Sequence, residues 1–405
     1  MAIKILQLTK KFPYPLKDGE SIAVSTLTRS LSKMGCEYTL LSMNTIKHHF
    51  DVQTLPDSYD FYKEIYTVDL DNRIKPLDAL TNLFSSESYH VSRFYYQEFK
   101  DKLIQLLQEN DFDIIQLETL YLAPYINDIR KYTAAPIVMR SHNVEYEIWS
   151  RITANTTNPL KKWYLKYLTN KLERFEKASL TKYDYLLTVT QRDFENYQKI
   201  LTAIPGESAP IGLQLENYIP AQIKPNEKKL SFIGSLDWMP NLEGLEWFLK
   251  EVFPLVLAEE SDVEIHIAGR NTPQNIFDLQ SKNVIIHGEV EDAKAFLNNY
   301  PISVVPLLSG SGMRVKILEA MALGRVVVST SIGAEGILAK NSEEIFIEDD
   351  ELSFAKTIIN LLQNPDTLST VHHSARSFIE NHFDQDKNAW KVKEVFENLL
   401  NVNNG

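Results

Sequence analysis

The 405-residue sequence predicts an α/β protein of two Rossmann-like, doubly wound domains. Three observations carry this. Short runs rich in β-branched residues alternate with longer helical patterns along the whole chain, as in parallel sheets whose crossovers are helices. Near Ala209 to Lys229, Pro210, Pro220 and Pro225 are spaced through a polar stretch, the composition of a linker. Directly after it, Leu230 to Gly234 repeats the role of Ile3 to Leu8, a buried strand opening a new sheet. A ligand is expected between two such domains.

The strands of the first half are read at Ile3 to Leu8, Tyr38 to Ser42, Ile114 to Leu117, Ile137 to Arg140 and Tyr185 to Val189. Those of the second half are Leu230 to Ile233, Val263 to Ala268, Val284 to His287, Ile302 to Pro306 and Val326 to Ser329. Helical periodicity marks Ser21 to Met34, Arg93 to Gln108, Leu160 to Leu180, Leu242 to Ala258, Arg314 to Leu323 and Leu352 to Leu362.

Composition narrows the function classes. With 44% apolar and 11% aromatic residues, only 14 Gly and 17 Pro, the chain is neither disordered nor fibrous. A net charge of −12 makes it a poor nucleic-acid binder. The single cysteine, Cys36, excludes an internal disulfide and a thiolate metal cluster, and fits a reducing compartment. The amino terminus lacks the pattern of a signal peptide, and no run reaches the roughly 18 apolar residues of a membrane span. A cytoplasmic protein is expected.

The sharpest chemical signal is Pro306-Leu-Leu-Ser309-Gly310-Ser311-Gly312-Met313-Arg314-Val315-Lys316-Ile-Leu-Glu319-Ala-Met-Ala-Leu-Gly324. A buried strand runs into glycines and then a helix, so backbone can approach an anion and the free N–H groups of the first turn can receive phosphate oxygens. The spacing is neither G-x-G-x-x-G nor a Walker loop, which argues against a dinucleotide dehydrogenase or a P-loop ATPase. Glu319 is placed to accept two ribose hydroxyls, and Arg314 and Lys316 to neutralise a diphosphate. Lys316 and Glu319 equally read as an ordinary i,i+3 surface pair.

In the first half, Arg140-Ser-His142-Asn143-Val-Glu145 puts a histidine just beyond the carboxyl end of a strand, where open α/β sheets place ligand groups. His142 is a candidate to bond a substrate hydroxyl, or a structural loop histidine. Pro13 to Ser21, with Gly19, faces the same edge or is a plain turn capped by Ser21. Glu118, at the end of its strand, joins Gly19, Arg140 and Asn143 as a candidate on this side.

The nine histidines have no metal-ligand spacing, and Asp111-Phe-Asp113 reads as a strand-entry turn, so no metal is expected. Residues 160–182 combine seven basic side chains with Trp163, Tyr164, Tyr167 and Phe175. That pattern suits a peripheral contact with anionic lipid at the inner face of the membrane, or a solvated face with its aromatics in the core.

Taken together, these segments resemble the retaining nucleotide-sugar glycosyltransferases of group 1, family 4, with the GT-B fold. Arg140 to Glu145 looks like the amino-domain histidine motif, Ile211-Gly212-Leu213 like the pre-linker element, and Phe232-Ile-Gly234-Ser235-Leu-Asp237-Trp238 like the opening of the carboxyl domain. Ala268-Gly269-Arg270, His287-Gly288-Glu289-Val290 and Gly310 to Gly324 follow in the family's order. Lys387 to Leu400, with Trp390, looks like the terminal helix that crosses back to the first domain.

The resemblance implies two domains facing across a cleft. These are an acceptor-side domain, 1–215 plus 386–405, and a nucleotide-sugar domain, 216–385. It implies that Glu319 binds ribose, that the backbone of Gly310 to Arg314 holds phosphate or sugar, that the stretch around Val290 flanks the base, and that His142 contacts the transferred sugar. The donor would be UDP- or GDP-linked and the acceptor a glycan or lipid-linked hydroxyl, with no metal and no other cofactor. Two departures stand out. The family's first glutamate, eight positions before Glu319, is here Ser311, and its usual Arg and Lys are Ser235 and Asn241, so charge neutralisation is expected to move to Arg314 and Lys316. An epimerase or hydrolase of the same fold, and a non-catalytic nucleotide-sugar binder, are the alternatives.

Overall fold

The computed structural model describes residues 2–16, 18–73, 88–222, 227–310 and 313–403. They fall into two compact units, Met1–Gly212 with Gln385–Gly405, and Leu213–Asp384.

The first unit is built on a parallel sheet of β1 (Ile3–Thr9), β2 (Cys36–Thr45), β3 (Glu64–Leu70), β4 (Ile114–Glu118), β5 (Ile137–Ser141), β6 (Tyr185–Thr188) and β7 (Gly206–Ser208). Their order is β3-β2-β1-β4-β5-β6-β7, so the chain winds outward from β1 on one side and returns on the other beginning with β4. That reversal leaves a crevice at the carboxyl ends of β1 and β4. Helices cover both faces. On one, the helix Gln97–Glu109 buries Phe99, Leu103, Leu106 and Leu107. On the other, the helix Gly19–Lys33, capped by Asp18 Oδ1 accepting the Ser21 N–H at 3.0 Å, buries Leu27 and Leu31.

The last helix, Gln385–Asn403, completes that second face by placing Ala389, Val392, Val395 and Phe396 in the same apolar cluster as Leu27 and Leu31. Gln385 Nε2 donates to Thr26 O at 2.8 Å and Lys393 Nζ to Met34 O at 2.9 Å. Gly212 is the only residue type that fits its position, because a Cβ there would lie 2.3 Å from Gln385 Cα.

The second unit repeats the plan with β8 (Lys229–Ile233), β9 (Glu264–Ala268), β10 (Val284–Gly288), β11 (Ile302–Val305), β12 (Val326–Ser329) and β13 (Phe346–Ile347), all parallel in the order β10-β9-β8-β11-β12-β13. Its central strands are buried on both faces, which is why they read as unbroken apolar runs.

Three strands lie outside the sequence reading. β3 carries exposed and half-buried charged residues at the sheet edge, and β7 and β13 are only three and two residues long, too short for a period to register. The helix read as continuous over Leu242 to Ala258 is interrupted. Met239–Trp247 passes through a π turn at Phe248–Val252 into Phe253–Glu259. Pro254 explains this, since it has no N–H for the preceding turn and its ring crowds the carbonyl four residues back. In the helix Pro159–Ser179 the aromatic residues are not all in the core: Trp163 is 65% exposed beside Leu160 at 80%. No helix among the described residues is long and apolar enough to cross a membrane.

Candidate functional site

In the second unit the predicted segments converge at the carboxyl ends of the strands. The backbones that leave β8, β9 and β10 lie against one another: Gly234 N donates to Ala268 O at 3.1 Å and Gly269 N to Gly288 O at 2.8 Å. A Cβ on Gly269 would sit 2.2 Å from Gly234 O, so side chains are excluded from this seam. Beside it, the loop after β11 turns through Gly310, whose φ of +110° suits glycine, into the helix Val315–Ala322. Ser311 and Gly312 lie outside the described residues.

That helix is anchored by Ile317, Leu318, Ala320, Met321 and Ala322, all buried, and has no side-chain cap at its N-cap Arg314. Met313, Val315 and Val290 pack against the same apolar cluster, which fixes the loop after β10 relative to the helix start. Arg314 is 6% exposed, with its guanidinium 5.7 Å over the Trp238 ring.

Lys316 and Glu319 are not a surface pair, because each has a different partner. Lys316 is half-buried, and its amine donates to Asn241 Oδ1 at 2.8 Å and to Ile233 O at 3.2 Å, 5.0 Å over the Phe232 ring. Asn241 Nδ2 donates in turn to Ser235 O at 2.8 Å. The helix start is thereby tied to the loop after β8. Burial, and then the Arg314 charge, push the Lys316 amine down to about 7.

One helical turn on, Glu319 Oε1 accepts the Tyr218 hydroxyl at 2.8 Å. Burial raises the carboxyl above its ordinary value, with the Tyr218 bond and Lys294 acting against it. Tyr218 is itself positioned by Arg376 Nη1, which donates to its carbonyl at 2.8 Å, and by Lys294, whose amine lies 5.2 Å over its ring. Ser235 Oγ bonds Asp237, and Arg270 is exposed, with its carbonyl accepting the Leu236 N–H at 2.9 Å.

The first unit gathers a second set. His142 Nε2 is 2.7 Å from Glu118 Oε2, and Glu118 is fully buried. Gln7 Nε2 donates to Glu118 Oε1 at 2.8 Å, and Arg140 Nη1 lies 3.5 Å from Oε2 while donating to Ala23 O at 2.9 Å. Burial acts to raise the Glu118 carboxyl, but Arg140 and His142 outweigh it and hold it below the ordinary carboxylate range. Grouping Glu118 and Arg140 with a substrate-side loop therefore needs correction. Both are buried strand residues, and they act on His142 from beneath. Asn143 is half-buried, its carbonyl accepting Ser141 Oγ at 2.8 Å, and Gly19 opens its helix in open space.

Sequence reasoning missed Tyr218, which sits in the proline-spaced linker stretch 101 positions from Glu319 and gives no local signal. It also missed that two histidines meet, His266 Nδ1 and His287 Nε2 being 3.0 Å apart on neighbouring strands. Among the described residues no group of three or more His, Cys, Asp or Glu is placed to hold a metal ion.

With this geometry in view, comparison with known proteins is informative. Residues 227–364 match the family model of Glycosyl transferases group 1. An uncharacterised 44.6 kDa protein of the cps region of Klebsiella pneumoniae is 24% identical over 416 residues, covering 99% of this chain and all of that one. Among solved structures, sucrose-phosphate synthase from Thermosynechococcus elongatus superposes with a TM-score of 0.71 at 15% identity, over 98% of this chain and all of that one. Anabaena HepE in complex with UDP gives 0.67 at 13% identity, over 98% and 100% of the two chains. TarM gives 0.65 at 12%, over 98% and 99%. The fold is GT-B-like, and the segment 227–364 of the second unit is similar to the group 1 glycosyl transferases.

Proposed function

We propose that the chain is a retaining, metal-independent glycosyltransferase that moves a sugar from a UDP- or GDP-linked donor to a hydroxyl of a glycan or lipid-linked acceptor in bacterial surface polysaccharide synthesis. The observation that carries this reading is the pairing of two held groups on one helix: Lys316 at its start, and Glu319 one turn on with an oxygen fixed by Tyr218. A diphosphate at the helix start puts its ribose beside Glu319, the second carboxylate oxygen then accepting a ribose hydroxyl. Supporting it, HepE has been crystallised with UDP and with UDP-glucose, and the Klebsiella relative is encoded in a cps region.

In the reaction, an acceptor hydroxyl bonds to the anomeric carbon as the bond from that carbon to the diphosphate oxygen breaks, and the hydroxyl proton passes to the leaving diphosphate. The protein positions the two reactants and stabilises the charge on the departing group. A charge-assisted hydrogen bond there contributes about 1.5 to 3 kcal/mol, about tenfold to a hundredfold in rate. His142, oriented by Glu118, hydrogen-bonds a substrate hydroxyl. Incubation with UDP- and GDP-sugars and a capsule-type oligosaccharide panel, followed by NMR, is expected to give an acceptor-dependent product of unchanged anomeric configuration. Inversion, or donor consumption with no dependence on acceptor, would contradict it.

A cytoplasmic, membrane-peripheral location is also part of the proposal. Leu160 and Trp163 stand exposed among the exposed Lys161, Lys162 and Lys166. Binding to vesicles containing phosphatidylglycerol is expected, reduced severalfold by Trp163→Ser with no loss of thermal stability. Equal binding by both proteins would refute the contact.

A further inference from the structure

We propose that the first unit carries an anion-recognition subsite for the acceptor, a cavity of about 470 Å³ that takes a phosphate or carboxylate group attached to the acceptor saccharide. The proposal rests on the glycosyltransferase reading only in calling the ligand an acceptor. The cavity lies at the switch point of the sheet. Lys10 and Lys11 follow β1, Arg73 follows β3, Tyr121 follows β4, and Arg93 closes the short helix Tyr89–Ser92. Of the five charged side chains that line it, four are cationic, and Glu20 is the acidic one.

Three of the cations are already oriented. Lys10 Nζ is 3.0 Å from Glu20 and 4.5 Å over the Tyr121 ring. Lys11 Nζ is 2.6 Å from Asp18, and Arg73 grips Asp71 through Nε and Nη2 at 2.8 and 2.7 Å. Asp18 and Asp71 do not line the cavity, so these pairs aim the cations without filling it. Burial acts to lower the Lys10 amine, but Glu20 and Glu145 outweigh it and hold it above its ordinary value, fully charged at neutral pH.

Arg93 differs from the other three. Its Nε is buried without a hydrogen-bond partner among the described residues, while its guanidinium lies 4.9 Å over the Phe94 ring. A buried N–H left unmet is costly, and an oxyanion is the acceptor that relieves it best, through a charge-assisted bond. A neutral sugar hydroxyl offers no counter-charge to a lining of four cationic side chains and one acidic one. Two acceptor chemistries meet the requirement: a phosphate-linked saccharide, and a saccharide bearing a uronate.

The test is calorimetric titration of the whole protein with inorganic pyrophosphate, with glucuronate and with glucose, with and without saturating UDP or GDP. Arg93→Ala, Arg73→Ala and Lys316→Met are compared, Arg73 being 70% exposed and safe to truncate. With the donor cradle filled by saturating nucleotide, the expected result is binding of at least one anion, none of glucose, a tenfold or greater loss in both arginine variants, and no change in Lys316→Met. Preference for pyrophosphate identifies a phosphate-linked acceptor, and preference for glucuronate a uronate. Anion binding that survives both arginine substitutions, or is lost only in Lys316→Met, or is absent altogether, overturns the subsite. If neither UDP nor GDP binds while the arginine-dependent anion binding remains, the donor reading fails and the subsite stands.

Discussion

Lys316→Met is expected to weaken donor binding at pH 7 about tenfold to a hundredfold and to abolish its pH dependence. The amine is held by Asn241 and Ile233 and titrates near 7, because burial and Arg314 both disfavour its charge. A diphosphate brought to the helix start favours the charged form and lifts that value again. Donor binding should therefore take up a proton above pH 7, with affinity greatest below 7 and falling as pH rises through 7 and beyond, by up to about tenfold per unit. Without donor the sign reverses. The folded chain binds fewer protons here than the unfolded chain between about 7 and the ordinary lysine value of 10.5, so this group's contribution to stability rises with pH across that window. Calorimetry from pH 6.5 to 8.5 in buffers of different ionisation enthalpy reads the proton uptake. Donor affinity independent of pH in the wild type, or the same dependence in Lys316→Met, would show that the amine does not meet the diphosphate.

The largest effect on stability is expected from Glu118→Ala. The carboxylate has no exposure and answers Arg140, His142 and Gln7 together, so removing it leaves the Arg140 guanidinium buried without its counter-charge. Breaking a buried pair in this way costs about 3 to 5 kcal/mol. For a unit of this size that lowers Tm by roughly 10 °C. Glu118 sits below the ordinary carboxylate range when folded, so its stabilisation is present above that range and lost as pH falls through the folded value. Glu118→Gln should accordingly flatten the acid limb of the stability profile, and Glu118→Ala combined with Arg140→Met should recover part of the loss. Thermal denaturation from pH 3 to 8 checks all three. A Tm within 2 °C of wild type for Glu118→Ala would show that the network is not a support for His142.

Much of this molecule was legible in the sequence because the informative features are local. Ile302 to Pro306 and Val326 to Ser329 announce buried parallel strands by being apolar on both faces, and the glycines after the first of them announce a backbone turn before a helix. β3 was not legible, since an edge strand with Glu64, Thr67 and Asp69 on it satisfies no single period. The site divides in the same way. Gly310, Arg314, Lys316 and Glu319 stand in one segment and could be read as a group. Their partners Asn241 and Tyr218 come from 75 and 101 positions away, and no periodicity reports a contact made by side chains across such a span. For the same reason the cavity of Lys10, Arg73 and Arg93 became visible only once the strand ends were brought together. Trp163 shows the converse, since an aromatic at helical spacing reads as core, while here the helix turns it outward.

The central claim is that the helix beginning at Val315 holds a nucleoside diphosphate with its ribose on Glu319. It is tested most directly by thermal stability of the wild type and of Glu319→Ala against a panel of nucleoside diphosphates and nucleotide sugars, without added metal. A selective rise in Tm with one base, reduced at least tenfold in concentration dependence by Glu319→Ala, is the predicted result. A well-folded wild type that responds to none of them, or a response that Glu319→Ala leaves intact, would contradict the donor site and return the Gly310 to Glu319 segment to a structural role.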